Sequence, residues 1–292
     1  MRLLVTGGSG FLGGYVLREA TRRGHETVAL ARSPAAARAV AGCGAQPVTG
    51  NLDEASQLLD VFAAARCDAL VNLASLGFGH APAIITATRQ ADIGRAVFVS
   101  TTAVTTKLHA PSKRIRVTAE RQVRESHLQW TILRPTMIYG AAGDRNLSRL
   151  LTVLSRARLL PVPGGGRHLQ QPLHVADVAD AVLTAAERPA AAGVIYEVAG
   201  PEPLTFTELL RTCATAVASR TRFVPVPLSP VIALASGYEL ISQHPRIKAE
   251  QLRRLAEDKA FPIDTAARGL GYAPRPFADG IRAEARAMGL AR

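Results

Sequence analysis

The stretch Leu3-Leu4-Val5-Thr6-Gly7-Gly8-Ser9-Gly10-Phe11-Leu12-Gly13 decides the architecture of this chain. An apolar run leads into a glycine turn, and an amphipathic stretch from Tyr15 to Arg23 leads out of it. Strand, glycine turn and helix form the arrangement that holds a dinucleotide pyrophosphate at a helix N-terminus. Gly7 permits the tight turn. Gly10 has no Cβ to obstruct backbone approach to phosphates, and Gly13 lets the helix pack close on the strand. The glycines are three residues apart, directly after a strand and before a helix, as the motif requires. The competing reading is a glycine turn in a flavodoxin-like fold without cofactor.

Outward from this turn, strands and helices alternate. Residues 26–31, 45–48, 69–73, 97–100 and 131–133 read as strands. Between them lie helices at 35–41, from an Asp53 cap to about 66, at 82–93 and at 112–127. This alternation predicts an α/β Rossmann-type, doubly wound parallel sheet. After Tyr139 the rhythm changes, and Pro161-Val162-Pro163-Gly164-Gly165-Gly166 reads as a loop. Residues 177–187 read as a helix and 194–198 as a strand. Thr205 and Glu208 have capping-box spacing ahead of another helix. The expected division is a cofactor domain at 1–140 and a smaller, mostly helical substrate-side lobe at 141–292, with strands returning to the main sheet.

Bulk properties narrow the class. At 292 residues and 48% hydrophobic content, the chain fits a soluble globular α/β protein. No apolar run approaches the ~20 residues of a membrane span. Met1-Arg2 runs straight into the first strand, which leaves no room for a signal peptide on this reading. Cys43, Cys67 and Cys213 are widely spaced and form no metal or redox pattern, so structural thiols in a reducing cytoplasm, and no metal, are expected. The net charge of +12 comes from arginines scattered over many helices, without an aromatic-flanked basic cluster. Solvated helix faces explain it better than a nucleic-acid surface, and part of it can attract an anionic cofactor or substrate.

Several separated motifs agree with one another. They are Thr-Gly-Gly-Ser-Gly-Phe-Leu-Gly at 6–13, Asn-Leu-Ala-Ser at 72–75, Phe-Val-Ser-Thr-Thr at 98–102, Leu-Arg-Pro-Thr-Met-Ile-Tyr-Gly at 133–140, His-Val-Ala-Asp-Val-Ala at 174–179, and 199–209. With them the chain resembles the extended and atypical short-chain dehydrogenases/reductases, in particular the NAD(P)-dependent epimerase/dehydratase family. The resemblance implies that Gly7, Gly10, Phe11, Leu12 and Gly13 line the pyrophosphate turn. It sets Asn51 and Leu52 beside the adenine, Leu73, Ala74 and Ser75 under a ribose, and Pro135 and Thr136 at the nicotinamide.

The end of the second strand reads Leu30-Ala31-Arg32-Ser33. An NAD enzyme usually has an acid there for the ribose hydroxyls. Its absence removes repulsion of a 2′-phosphate, which Arg32 can pair and Ser33 can hydrogen-bond. NADP(H) is therefore expected, with NAD(H) possible.

The family's Tyr-x-x-x-Lys dyad is missing. The chain has five tyrosines, and none lies in 16–138. Aligned on Ala119-Glu120, Arg114 occupies the tyrosine position and Thr118 the lysine position. The third usual member survives as Thr102. Two readings stay open. One is an oxidoreductase or isomerase acting on a small carbonyl or carbinol, sugar-type substrates included, with Lys113, His109 or His127 as an altered acid/base. The other is a non-catalytic NADP(H) redox sensor or assembly subunit. Nucleotide-sugar members commonly carry an arginine four residues before the His equivalent to His174, where this chain has Gln170. Arg145, Arg149 and Arg167 lie near enough in sequence to substitute. Monomer or homodimer is expected, with monomer favoured because the positive charge of the 112–127 helix would repel across a two-fold axis unless Glu120 and Glu125 answer it.

Overall fold

The computed structural model describes residues 1–108, 111–140, 144, 146–241, 253 and 256–291, with 111, 240 and 241 as backbone only. His109 and Arg145 lie outside the described residues. In chain order the strands are β1 Arg2–Thr6, β2 Glu26–Ala31, β3 Gln46–Thr49, β4 Ala69–Asn72, β5 Arg95–Val99, β6 Gln129–Pro135, β7 Ile138–Tyr139, β8 Leu159–Pro163, β9 Leu169–Gln170, β10 Leu173–His174, β11 Val194–Val198, β12 Leu204–Thr205 and β13 Arg222–Val226. The helices are α1 Phe11–Arg22, α2 Pro34–Ala41, α3 Ala55–Ala65, α4 Ala81–Gln90, α5 Pro111–Arg124, α6 Leu147–Leu154, α7 Val175–Glu187, α8 Phe206–Ala216, α9 Leu228–Ile241, α10 Asp264–Leu270 and α11 Phe277–Ala287.

The chain divides into two compact units. The first comprises 1–136, 175–198 and 262–273, and the second 137–174, 199–261 and 274–292. The first unit holds a seven-stranded sheet of order β11-β6-β5-β4-β1-β2-β3, every pair of it parallel. The order reverses between β1 and β4, which is the switch point where doubly wound sheets open a ligand crevice beyond the strands' carboxyl ends. β4 is buried throughout, as a strand covered on both faces must be. One face packs Leu4, Leu58, Phe62, Leu70, Ile84, Phe98 and Ile132 into a continuous core. Helix α7 buries Val178, Ala181, Val182 and Ala185, a helical-period face rich in alanine. Arg23, after α1, is tied to it by ion pairs with Asp180 at 2.5 Å and Glu187 at 3.0 Å.

The second unit has its own core of Tyr139, Leu151, Leu154, Leu209, Cys213, Phe277 and Ile281. The capping box is formed: Glu208 N–H donates to Thr205 Oγ1 at 3.2 Å, and Thr205 N–H to Glu208 Oε2 at 2.8 Å. The stretch read as a loop at 161–166 is instead the end of β8, paired in parallel with β13, and then a 3-10 turn. A two-stranded ribbon is all edge, so Pro161, Pro163 and Pro225 cost it few ladder bonds. The expected Asp53 cap is also corrected. Helix α3 starts at Ala55 with Glu54 at its N-cap and no side-chain cap bond, and the Asp53 carboxylate instead lies 3.7 Å from His80 Nδ1. Among the described residues, no helix is long and apolar enough to cross a membrane.

Candidate functional site

The loops beyond the carboxyl ends of β1 and β4 meet in one wall. Gly7 has φ +72°, and a Cβ there would sit 2.7 Å from Ala74 N and 2.8 Å from Leu73 C. It is therefore held to glycine twice, by conformation and by contact with the loop after β4. Gly13 is tighter still: its Cβ would fall 2.3 Å from Gly8 O and 2.5 Å from Gly7 O. At Gly10 a Cβ would press on one atom, Gly7 O at 3.2 Å, a tight contact but looser than those at Gly7 and Gly13.

Asn72 organises this wall, a role that went unassigned from sequence although Asn72 opens one of the quoted motifs. It is fully buried, accepts from Thr6 Oγ1 at 2.6 Å and donates from Nδ2 to Ala74 O at 3.1 Å. Leu73 N–H donates to Thr6 O at 3.0 Å. Ser75 Oγ accepts from Gly77 N–H at 3.2 Å and caps the short turn Leu76–Phe78. At the end of β2, Arg32 and Ser33 are exposed. Ser33 Oγ accepts from Ala36 N–H at 3.2 Å as the cap of α2, which leaves its hydroxyl proton for another partner. Leu52 packs against the core edge. Thr102 is buried and donates to Pro135 O at 3.3 Å, and Thr136 N–H donates to Val198 O at 3.0 Å.

A model of the NAD dependent epimerase/dehydratase family matches residues 3–199. The chain belongs to this family. It is 30% identical to a 4-hydroxy-2-methyl-3-oxo-4-farnesyl-3,4-dihydroquinoline-1-oxide ketoreductase of Stigmatella aurantiaca, over 94% of this chain and 92% of that one. It is 28% identical to a 2-alkyl-3-oxoalkanoate reductase of Stenotrophomonas maltophilia, over 97% and 98%. Among solved structures, a UDP-glucose 4-epimerase of Thermotoga maritima superposes with TM-score 0.77 over 99% of both chains, at 15% identity, a likeness of fold.

Within this epimerase/dehydratase-family fold, α5 carries the largest surprise. The residues aligned with the dyad, Arg114 and Thr118, are both exposed on its outer face. The face turned toward the loops carries Ser112, Arg116, Ala119, Glu120 and Val123, with Ala119, Glu120 and Val123 buried. Arg116 Nη1 donates to Ser112 Oγ at 2.8 Å. Half-buried Lys113 donates from Nζ to the Thr106 carbonyl. His127 is exposed beyond the C-terminal end of α5, about four turns from Ser112 and next to the start of β6 rather than its carboxyl end.

Glu120 anchors the same helix. Arg134 on β6 grips it with Nη2–Oε2 at 2.6 Å and Nε–Oε1 at 3.1 Å, and reaches Glu197 Oε1 at 2.9 Å. Ser100 Oγ adds a hydrogen bond to Glu120 Oε1 at 2.5 Å. Burial opposes the Arg134 charge, but the two carboxylates outweigh it and raise its pKa. Burial pushes the Glu197 carboxyl above its ordinary value despite the arginine.

In the second unit, Gln170 is buried. It accepts from Lys259 Nζ at 3.2 Å, and its own Nε2 has no partner among the described residues. Arg149 and Arg167 are exposed. The cation that reaches the Gln170 position is thus Lys259, 89 residues away in sequence and invisible to motif reading.

Proposed function

We propose that this chain is an NADPH-dependent ketoreductase acting on a 3-oxo substrate, most simply a 3-oxo acid. One observation carries the reading: the two relatives matched over more than nine-tenths of both chains are reductases of 3-oxo compounds by name, while a photosystem II assembly factor of Synechocystis, matched over 91% of this chain and 83% of its own, stands on the side of the non-catalytic reading. The residues fit. The glycine turn, with Gly7, Gly10, Phe11, Leu12 and Gly13, suits a pyrophosphate at the N-terminus of α1. Arg32 and Ser33 suit a 2′-phosphate, Asn51 and Leu52 an adenine, and Leu73, Ala74, Ser75, Pro135 and Thr136 the ribose and nicotinamide. NADPH, when bound, supplies the hydride.

The rest is the work of the chain. Neutral Gln170 cannot make the charged fork that a diphosphate takes. Thr102 borders the reacting carbonyl. Lys113 braces the segment after Thr102 through the Thr106 carbonyl rather than moving a proton.

The test is turnover of 2-alkyl-3-oxo acids and their ethyl esters, followed by loss of NADPH absorbance, with calorimetry of NADPH binding beside it. Binding with turnover supports the ketoreductase. Binding with no turnover of any 3-oxo compound transfers the protein to the non-catalytic reading, which the missing tyrosine favours.

A further inference from the structure

The inner face of α5 presents a hydroxyl and a guanidinium one turn apart, already hydrogen-bonded to each other. Arg116 Nη1 lies 2.8 Å from Ser112 Oγ. The guanidinium lies flat over Gly77. A Cβ built on Gly77 would meet its Cζ, Nε and Nη2 all at 3.1 Å, and three equal distances mean the plane faces the glycine. Gly77 belongs to the short turn capped by Ser75, whose loop touches Gly7 through Ala74. The pair therefore stands on the wall that begins at the glycine turn. Ser112 is in the first turn of α5, where unpaired helix N–H groups add positive potential. One turn further on, the Glu120–Arg134 grip holds the rotation of the helix that turns both residues inward.

From this juxtaposition we propose that Ser112 and Arg116 form the oxyanion site of the carbonyl reduction, in place of a tyrosine acid; the proposal rests on the ketoreductase reading above. NADPH, when bound, would supply the hydride pair for the new C–H bond at the carbonyl carbon. The carbonyl π pair moves onto oxygen, and the Ser112 hydroxyl and an Arg116 N–H donate to that oxygen as its charge grows. Water then supplies the proton that makes the alcohol. Positioned donors of this type act where charge develops, and losing one typically costs about 10²–10³-fold in kcat. Neither group titrates near neutrality, so the rate carries no tyrosine, lysine or histidine ionisation.

The experiment has two arms. In the first, calorimetry measures binding of the enolate of hexafluoroacetylacetone, a stable 1,3-dicarbonyl anion, to wild type, S112A, R116Q and R116K without cofactor. Arg116 is only half-buried, so R116Q is expected to fold, and R116K keeps the charge as a control. The expected result is binding weakened at least tenfold in R116Q, less in S112A, and partly restored in R116K. Equal affinity in all four, or no binding by wild type, overturns the assignment. In the second arm, the 3-oxo turnover assay is repeated with these variants. Loss of kcat in R116Q at unchanged NADPH affinity supports the pair, and unchanged kcat overturns it. Enolate binding that depends on Arg116 without turnover in wild type leaves the anion site standing and overturns the ketoreductase instead.

Discussion

Glu284 offers a measurement whose size follows from its surroundings. It sits on α11 at 2% exposure, close enough to Asp144 to feel its charge. Burial, and next the charge of Asp144, lift its pKa from an ordinary 4.5 to about 8, against a backbone hydrogen bond from Gly140. The folded protein therefore holds a proton there that the unfolded chain releases near 4.5. With the folded value raised, the protonated carboxyl contributes stability fully below pH 4.5, and that contribution is lost as pH rises toward 8. The slope approaches about 1.4 kcal/mol per pH unit, so about 2–3 kcal/mol disappears between pH 5 and pH 7. In Glu284→Gln the side chain keeps its size and loses its charge. The variant should match wild type near pH 5 and exceed it increasingly toward pH 8. At about 2 °C per kcal/mol for a chain of this size, the Tm gap opens by roughly 5 °C between pH 5 and pH 7. Thermal unfolding of both proteins across this range is the assay, and effects common to both cancel in the difference. Parallel Tm curves would refute the buried, protonated carboxyl.

Other expectations follow from the site. Arg32→Ala should weaken NADPH by about 10- to 100-fold, the loss of a charged hydrogen-bonding partner, and leave NADH unchanged in the same titration; an equal loss for both removes the 2′-phosphate assignment. Gly10→Ala should lose cofactor binding at a smaller cost in Tm than Gly13→Ala, because its Cβ presses on Gly7 O alone, at 3.2 Å; retained micromolar binding contradicts the pyrophosphate site. Gly13→Ala, whose Cβ would lie 2.3 Å from Gly8 O, should lose both stability and binding, so a wild-type Tm would contradict the packing described for the turn.

Much of the first unit was legible because its signals are local. Hydrophobic runs and caps located the strands and helices to within a few residues, and the glycine spacing located the turn, whose tight contacts at Gly7 and Gly13 the structure then supplied. Helix α5 was legible as a helix but not in its rotation. Its first half, Ser-Lys-Arg-Ile-Arg-Val-Thr, offers only Ile115 and Val117 as apolar markers, and both are exposed, at 42% and 46%. Its orientation is set from outside, by the grip of Arg134 and Ser100 on Glu120. A motif alignment has no access to that.

The sequence by itself determined the doubly wound sheet, the glycine turn and the absence of a tyrosine from 16–138, because each depends on residue type over short spacing. Tertiary structure alone decided which hydroxyl and cation face the loops, why Asn72 ties β1 to the loop after β4, and that Lys259 reaches Gln170. These depend on contacts between residues 66 or 89 apart, or on the rotation of a helix fixed by a distant strand. Local propensity carries no information about either, because the energy that sets them appears only when the elements pack.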